Sequence, residues 1–163
     1  MKNLSTYQNF NIRSWEERDR AAAAHLIRDV LLEYNLPWQP ETADRDVIEI
    51  ETSYLLAGGE FWVVEQDNQI VGTAAYYPIP RGHKAVEIRK MYLAPAVRSQ
   101  GLGKYLLNAL ETTIQQRGFQ EIWIETASVL IEAVQLYEKS GYQPATGVET
   151  ARCDRVYVKY LTS

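Results

Sequence analysis

The segment from Ala85 to Gly118 constrains the fold more than any other part of this chain. It opens with AVEIRKMYL, an apolar run that reads as a strand, and continues through APAVRSQGLG. From Leu102 onward the apolar residues recur at helical spacing, at Leu106, Ala109, Leu110 and Ile114, until Gly118 closes the pattern. A strand, a glycine-bearing turn and an amphipathic helix in that order put a helix N-terminus beside a strand end. Such a terminus has unpaired N–H groups and the positive end of the helix dipole, so it can seat an anion. Two common phosphate motifs do not fit. A dinucleotide fingerprint needs a small residue three positions after Gly103, where Leu106 stands. A P-loop needs glycine at the position of Arg98 and Ser or Thr at that of Tyr105. What remains is Arg98-Ser99-Gln100-Gly101-Leu102-Gly103-Lys104, with main-chain donors, small residues for close approach and two cations.

The flanking sequence gives the rest of the order. Phe10–Arg13 reads as a short strand, and SWEE follows with Ser14 and Glu17 at the spacing of a capping box. Ala23, Leu26, Ile27, Val30, Leu31 and Tyr34 predict a first helix, and the two prolines of LPWQP require a loop. A second helix is expected from about Ala43 to Leu56, stopping at Gly58-Gly59. Phe61–Glu65 and Ile70–Tyr77 predict two strands joined by a tight turn at Asp67-Asn68, and Pro78–Gly82 breaks the pattern. Glu121–Glu125 predicts a buried strand. Leu130, Ala133, Val134 and Tyr137 mark a last helix, and Asp154–Leu161 a final strand. The result is an α+β, or mixed α/β, fold with a sheet covered by helices. The 163 residues suit one domain, residues 1–163.

Charge and cysteine content narrow the partners. Seventeen basic against 21 acidic side chains give a net charge of −4, which argues against nucleic acid as a partner. One cysteine, Cys153, permits no internal disulfide and suits a reducing compartment. The two histidines, His25 and His83, lack ligand-like spacing, so no metal is expected. The N-terminal stretch has no apolar core of signal-peptide length, and no run approaches the roughly 18 to 20 residues that cross a bilayer. These readings predict a cytoplasmic protein with no membrane partner.

The pattern Arg98-x-x-Gly101-x-Gly103 resembles the acetyl-CoA motif of the GNAT superfamily, the acyl-CoA-dependent N-acetyltransferases. RKMYLAP before it resembles the family's fourth strand, IWIET its fifth, and LYEKSGY the end of its second conserved block. The resemblance is strong from about Glu87 to Tyr142 and architectural before Phe61. It is greatest toward bacterial acetyltransferases of small amines and amino acids. It implies a central, mostly antiparallel, splayed sheet flanked by helices. It also implies direct transfer of acetyl from acetyl-CoA to a primary amine in a ternary complex. Protein N-terminal or lysine acetylation, and a binding module without catalysis, are the alternatives. A homodimer is one option for the assembly.

The resemblance also implies roles. The main chains of Met91, Tyr92 and Leu93 would pair with the pantetheine arm, and Ser99, Gln100, Gly101, Leu102, Gly103 and Lys104 would hold the pyrophosphate beside Arg98. Ser99 stands where relatives usually have glycine, which is tolerable if the residue needs no positive φ. Tyr137 matches the tyrosine that protonates the leaving thiolate, although its place on an apolar helical face also suits a core residue. Leu130 stands where relatives often have asparagine. Glu125 and Glu87 both match base positions used in the superfamily, Glu87 being equally readable as an ion-pair partner of Arg89, and deprotonation by water alone is the third option. Tyr34, Trp38, Tyr76, Tyr77 and His83 are expected as acceptor walls or as ordinary aromatics. Cys153 is expected to be a small apolar residue opening the last strand.

Overall fold

The computed structural model describes residues 3–162. Eight strands form one sheet: β1 (Asn3–Tyr7), β2 (Phe10–Ser14), β3 (Glu60–Gln66), β4 (Gln69–Ile79), β5 (Ala85–Leu93), β6 (Glu121–Thr126), β7 (Gln143–Ala145) and β8 (Arg155–Tyr160). Their spatial order is β1-β2-β3-β4-β5-β6-β8-β7, antiparallel throughout except for the parallel pair β5–β6. The helices are α1 (Arg20–Glu33), α2 (Arg45–Ile48), α3 (Leu102–Gln116) and α4 (Ile131–Lys139).

Each face of the sheet has its own core. On one face Leu102, Leu106, Leu107, Leu110 and Ile114 of α3 join Val86, Ile88, Ile122, Ile124 and Tyr137. On the other, Ala23, Ile27 and Leu31 of α1 pack with Val47, Ile50, Tyr54, Phe61, Val63 and Ala75. Strand alternation divides neighbours between the faces: Tyr76 belongs to the α3 core, whereas Tyr77 packs toward α1 and α2. The β3–β4 turn places Asp67 at φ +52° and Asn68 at φ +63°, the left-handed pair of a two-residue hairpin.

Four expectations change. The capping box lies two residues further on, because Ser14 continues β2 opposite Trp62. The Glu16 N–H donates to Asp19 at 2.8 Å, and Asp19 also receives the Arg13 guanidinium at 2.7 and 2.9 Å. The expected helix 43–56 is broken: α2 ends at Ile48, and Glu51–Leu55 winds as a π-helical turn. β4 runs through Pro78 to Ile79. It can do so because β3 stops opposite Tyr76 and leaves that edge of β4 with no ladder for proline to interrupt. Finally, β1 and β7 add edge strands that the sequence pattern does not announce, since Asn3–Tyr7 is polar and β7 is three residues long. Among the described residues no helix is long and apolar enough to cross a membrane.

Candidate active site

The sheet opens at its centre. β5 and β6 pair from Ala85↔Glu121 to Ile88↔Ile124 and then part. The cause lies in β5 itself. Ala75 opposes Arg89 but Thr73 opposes Tyr92, so Lys90 and Met91 together face Ala74 in a β-bulge. Lys90 takes φ +53°, and its carbonyl accepts from the Thr73 hydroxyl at 2.7 Å. As a result Arg89 and Lys90, though consecutive, both turn toward the α1–α2 face, and Arg89–Leu93 presents an unpaired edge toward β6. The gap is a cleft of about 340 Å³, walled by the main chains of Met91, Tyr92 and Leu93 on one side and by Tyr137 on the other.

At one end of the cleft lies the start of α3. Gly101 caps the helix at φ +82°, and the first helical hydrogen bond runs from the Tyr105 N–H to the Gly101 carbonyl at 3.0 Å. The N–H groups of Leu102, Gly103 and Lys104 precede that bond and are left for another acceptor. A Cβ on Gly101 would lie 2.6 Å from the Tyr7 hydroxyl, which donates to the Gln100 carbonyl at 2.9 Å, so glycine is required on both counts. Ser99 sits at φ +63°, so the proviso for serine fails: the residue does adopt the left-handed conformation that glycine takes without strain. Ser99, Gly101, Gly103 and Lys104 line the cleft, while Leu102 is buried in the α3 core and offers only main chain. Arg98 also lines the cleft. Its guanidinium is held by Glu33 at 2.7 and 2.9 Å, and its Nε donates to the Leu93 carbonyl at 3.1 Å. An extended amide chain with a pyrophosphate therefore fits this site: an open strand edge for the one, a helix terminus with close backbone approach for the other.

At the other end Glu87 and Glu125 both line the cleft, in unlike surroundings. Glu125 is held by main-chain donors: its carboxylate accepts the Glu149 N–H at 3.1 Å and the Thr150 N–H at 2.9 Å, with Arg81 at 3.6 Å. Glu87 is buried at 7 % exposure, and its nearest cation is the Arg89 Nε at 3.7 Å. Burial pushes the Glu87 carboxyl up to about 7, against the pull of Arg89 and with the help of Glu125 and Glu149. Tyr137 is buried at 5 % exposure, beside Tyr142 and Tyr157, and burial raises its hydroxyl well above the ordinary value. The raised value keeps that hydroxyl protonated at neutral pH, and with no hydrogen-bond partner among the described residues it is available as a donor at the cleft wall.

Of the expected acceptor walls, only Tyr34 lines this cleft. Tyr77 lines a neighbouring cavity of about 260 Å³. Tyr76 is fully buried on the opposite face, donating to Glu60 and accepting from Arg117 at 2.6 Å. Trp38 packs on the α1 core, and His83 is exposed on the loop before β5. Cys153 precedes β8 rather than opening it. It is half-buried at the cleft wall, and burial pushes its thiol up to about 11. A buried ion cluster escapes sequence reading altogether. Asp44 accepts from Lys90 at 3.0 Å, from Arg152 at 2.6 Å and from the Gln39 N–H at 2.8 Å. Burial alone would raise the Asp44 carboxyl, but Arg152 and Lys90 outweigh it and hold it at about 2. Asp44→Asn leaves buried Arg152 without its anion and Lys90 with Asp46 alone, at 3.4 Å, and is expected to destabilise the fold by roughly 3 kcal/mol, read by denaturant unfolding.

Residues 24–142 match the acetyltransferase (GNAT) family. The chain belongs to the GNAT acetyltransferase family. An uncharacterised N-acetyltransferase of Escherichia coli, YjgM, is 33 % identical over 129 residues, covering 77 % of each chain. N-acetyltransferase 8F1 of Rattus norvegicus is 32 % identical over 113 residues, which are 66 % of this chain and 51 % of the rat protein, so the chain spans about half the length of that relative. In fold, a GNAT-family acetyltransferase of Staphylococcus aureus superposes with a TM-score of 0.87 at 22 % identity, covering 94 % of this chain and 99 % of that one. The PaiA N-acetyltransferase of Thermoplasma acidophilum, solved in complex with coenzyme A, gives 0.73 at 16 % identity, covering 94 % and 100 %. As a GNAT member, the chain is an acetyl-CoA-dependent acyltransferase.

Proposed function

We propose that this GNAT protein transfers acetyl from acetyl-CoA to a primary amine of a small molecule by direct attack within a ternary complex. The observation that carries the reading is the parting of β5 from β6 beside the start of α3. It joins in one cleft an open main-chain edge, an anion seat, a protonated tyrosine and a buried carboxylate. Bound acetyl-CoA would supply an activated thioester. Met91–Leu93 would pair with its amide arm, and Ser99, Gly101, Gly103 and Lys104 would hold its phosphates. The close approach of main chain to anion explains why an acidic protein can bind an anionic cosubstrate.

In this reading Glu87 takes the proton that an ammonium must lose before its lone pair can attack. A carboxyl near 7 is half ionised at neutral pH and basic enough to accept that proton, whereas Glu125 has its oxygens committed to the 149–150 amides. Tyr137 gives its proton to the departing thiolate. The test is release of free coenzyme A thiol from acetyl-CoA over a panel of amino acids, polyamines, aminoglycosides and peptides. Turnover with a small amine and none with peptides is the expected result. Turnover with peptides alone would replace it with protein acetylation. Thermal stabilisation by acetyl-CoA without any turnover would make the chain a binding module.

A further inference from the structure

Each cation around the Glu87 end of the cleft has a committed partner except one. Lys90 and Arg152 are held by Asp44 at 3.0 and 2.6 Å. Arg81, just outside the cleft, lies 3.6 Å from Glu125 and donates to the Thr146 carbonyl at 2.6 Å. Arg89 differs. Its contacts are all long, the Tyr77 hydroxyl at 3.4 Å, the Ala43 carbonyl at 3.5 Å and Glu87 at 3.7 Å through Nε, and Asp46 across the second cavity adds attraction without an ion-pair contact. A guanidinium has five donors in a planar fork, so among the described residues Arg89 is the cation of this region left with its donors poorly used. It also forms the shared wall of the cleft and of the second cavity, where Asp46, Ser53 and Tyr54 complete the lining.

Glu87 and Arg89 point the same way from one strand, a carboxylate and a guanidinium side by side. Their complement is a molecule with a cation and an anion on the same or adjacent carbons. We propose that the acceptor is a free amino acid, its amine presented to Glu87 and its carboxylate gripped by the Arg89 fork. Planar bidentate pairing suits arginine and carboxylate, and the second cavity gives the remainder of the acceptor room. The inference rests on Glu87 as the base and narrows the acceptor class: a polyamine would bring a second cation against Arg89, and a peptide N-terminus has no carboxylate on its first carbon.

The test is steady-state thiol release with the twenty L-amino acids, each beside its own carboxamide, and with carboxylate-free amines such as tyramine and spermidine. The expected result is at least one amino acid preferred over its amide by about 100-fold in kcat/KM, the difference lying mainly in KM. Arg89→Gln is expected to bring acid and amide to the same kcat/KM, and Arg89→Lys to restore part of the preference; an unchanged thermal shift with acetyl-CoA certifies the fold of both variants. Equal use of acid and amide by the native protein, or a preference that survives Arg89→Gln, overturns the proposal. Turnover confined to tyramine or spermidine overturns it while leaving the acetyltransferase reading intact. No turnover with any of these amines overturns it too, and the wider acceptor panel above then decides the acetyltransferase reading separately.

Discussion

Glu87→Gln is expected to lower kcat/KM about 1,000-fold at pH 7 and to remove the acidic limb of the pH–rate profile. With the carboxyl at about 7, native activity should fall tenfold for each pH unit below that value and level off above it, since the base works only when ionised. Stability should run the opposite way. The folded carboxyl holds its proton up to about 7, whereas in the unfolded chain it loses it near 4.5. Between those values the native state binds more protons than the unfolded state, so native stability declines as pH rises from about 4.5 to 7. Glutamine has no charge to bury, so the variant should be more stable than the native protein at pH 8, by on the order of 2 kcal/mol. A rate loss together with a higher melting temperature distinguishes a buried base from a structural ion pair, whose loss would lower both. A variant that keeps the acidic limb would remove Glu87 from the role.

Tyr137→Phe is expected to reduce kcat about 100-fold with little change in KM or melting temperature. The hydroxyl bonds to no described residue, so its removal leaves no protein group without a partner, and the ring keeps its contacts with Tyr142 and Tyr157. An acetyl donor whose thiol is more acidic needs less help from an acid. With such a donor the gap between native and variant rates should narrow. A gap that stays constant across donors would assign Tyr137 to packing.

Much of the cleft was legible in the sequence because its parts are local. The left-handed glycine before α3, the strand ahead of it and the helix carrying Tyr137 each lie within a few residues of their own signals. What was not legible depends on contacts between distant segments. Glu87 and Glu125 look alike along the chain. Only the fold brings the 149–150 amides onto Glu125 and leaves Glu87 buried with Arg89 as its nearest cation. Tyr76 and Tyr77 are adjacent and aromatic, and nothing local says which faces α3. The periodic residues Val47, Ile50 and Tyr54 suggest one continuous helix. The structure instead breaks it near Glu49, where the chain turns from α2 into a π-helical turn while Asp44 is drawn into its ion cluster. Helix propensity is weak against such tertiary demands.

The bulge in β5 is a matter of counting. What opens the sheet is the presence of one residue more on β5 than on β4 between two fixed pairings, Ala75↔Arg89 and Thr73↔Tyr92. The opening is therefore written into chain length as well as into side-chain identity. Side-chain exchanges along Met91–Leu93 leave the backbone edge available. Loss of a single residue there would let the ladder run on unbroken, with Tyr92 still opposite Thr73, and would remove the bend that parts β5 from β6. Through descent, this short stretch should thus accept new letters readily and refuse a change in their number.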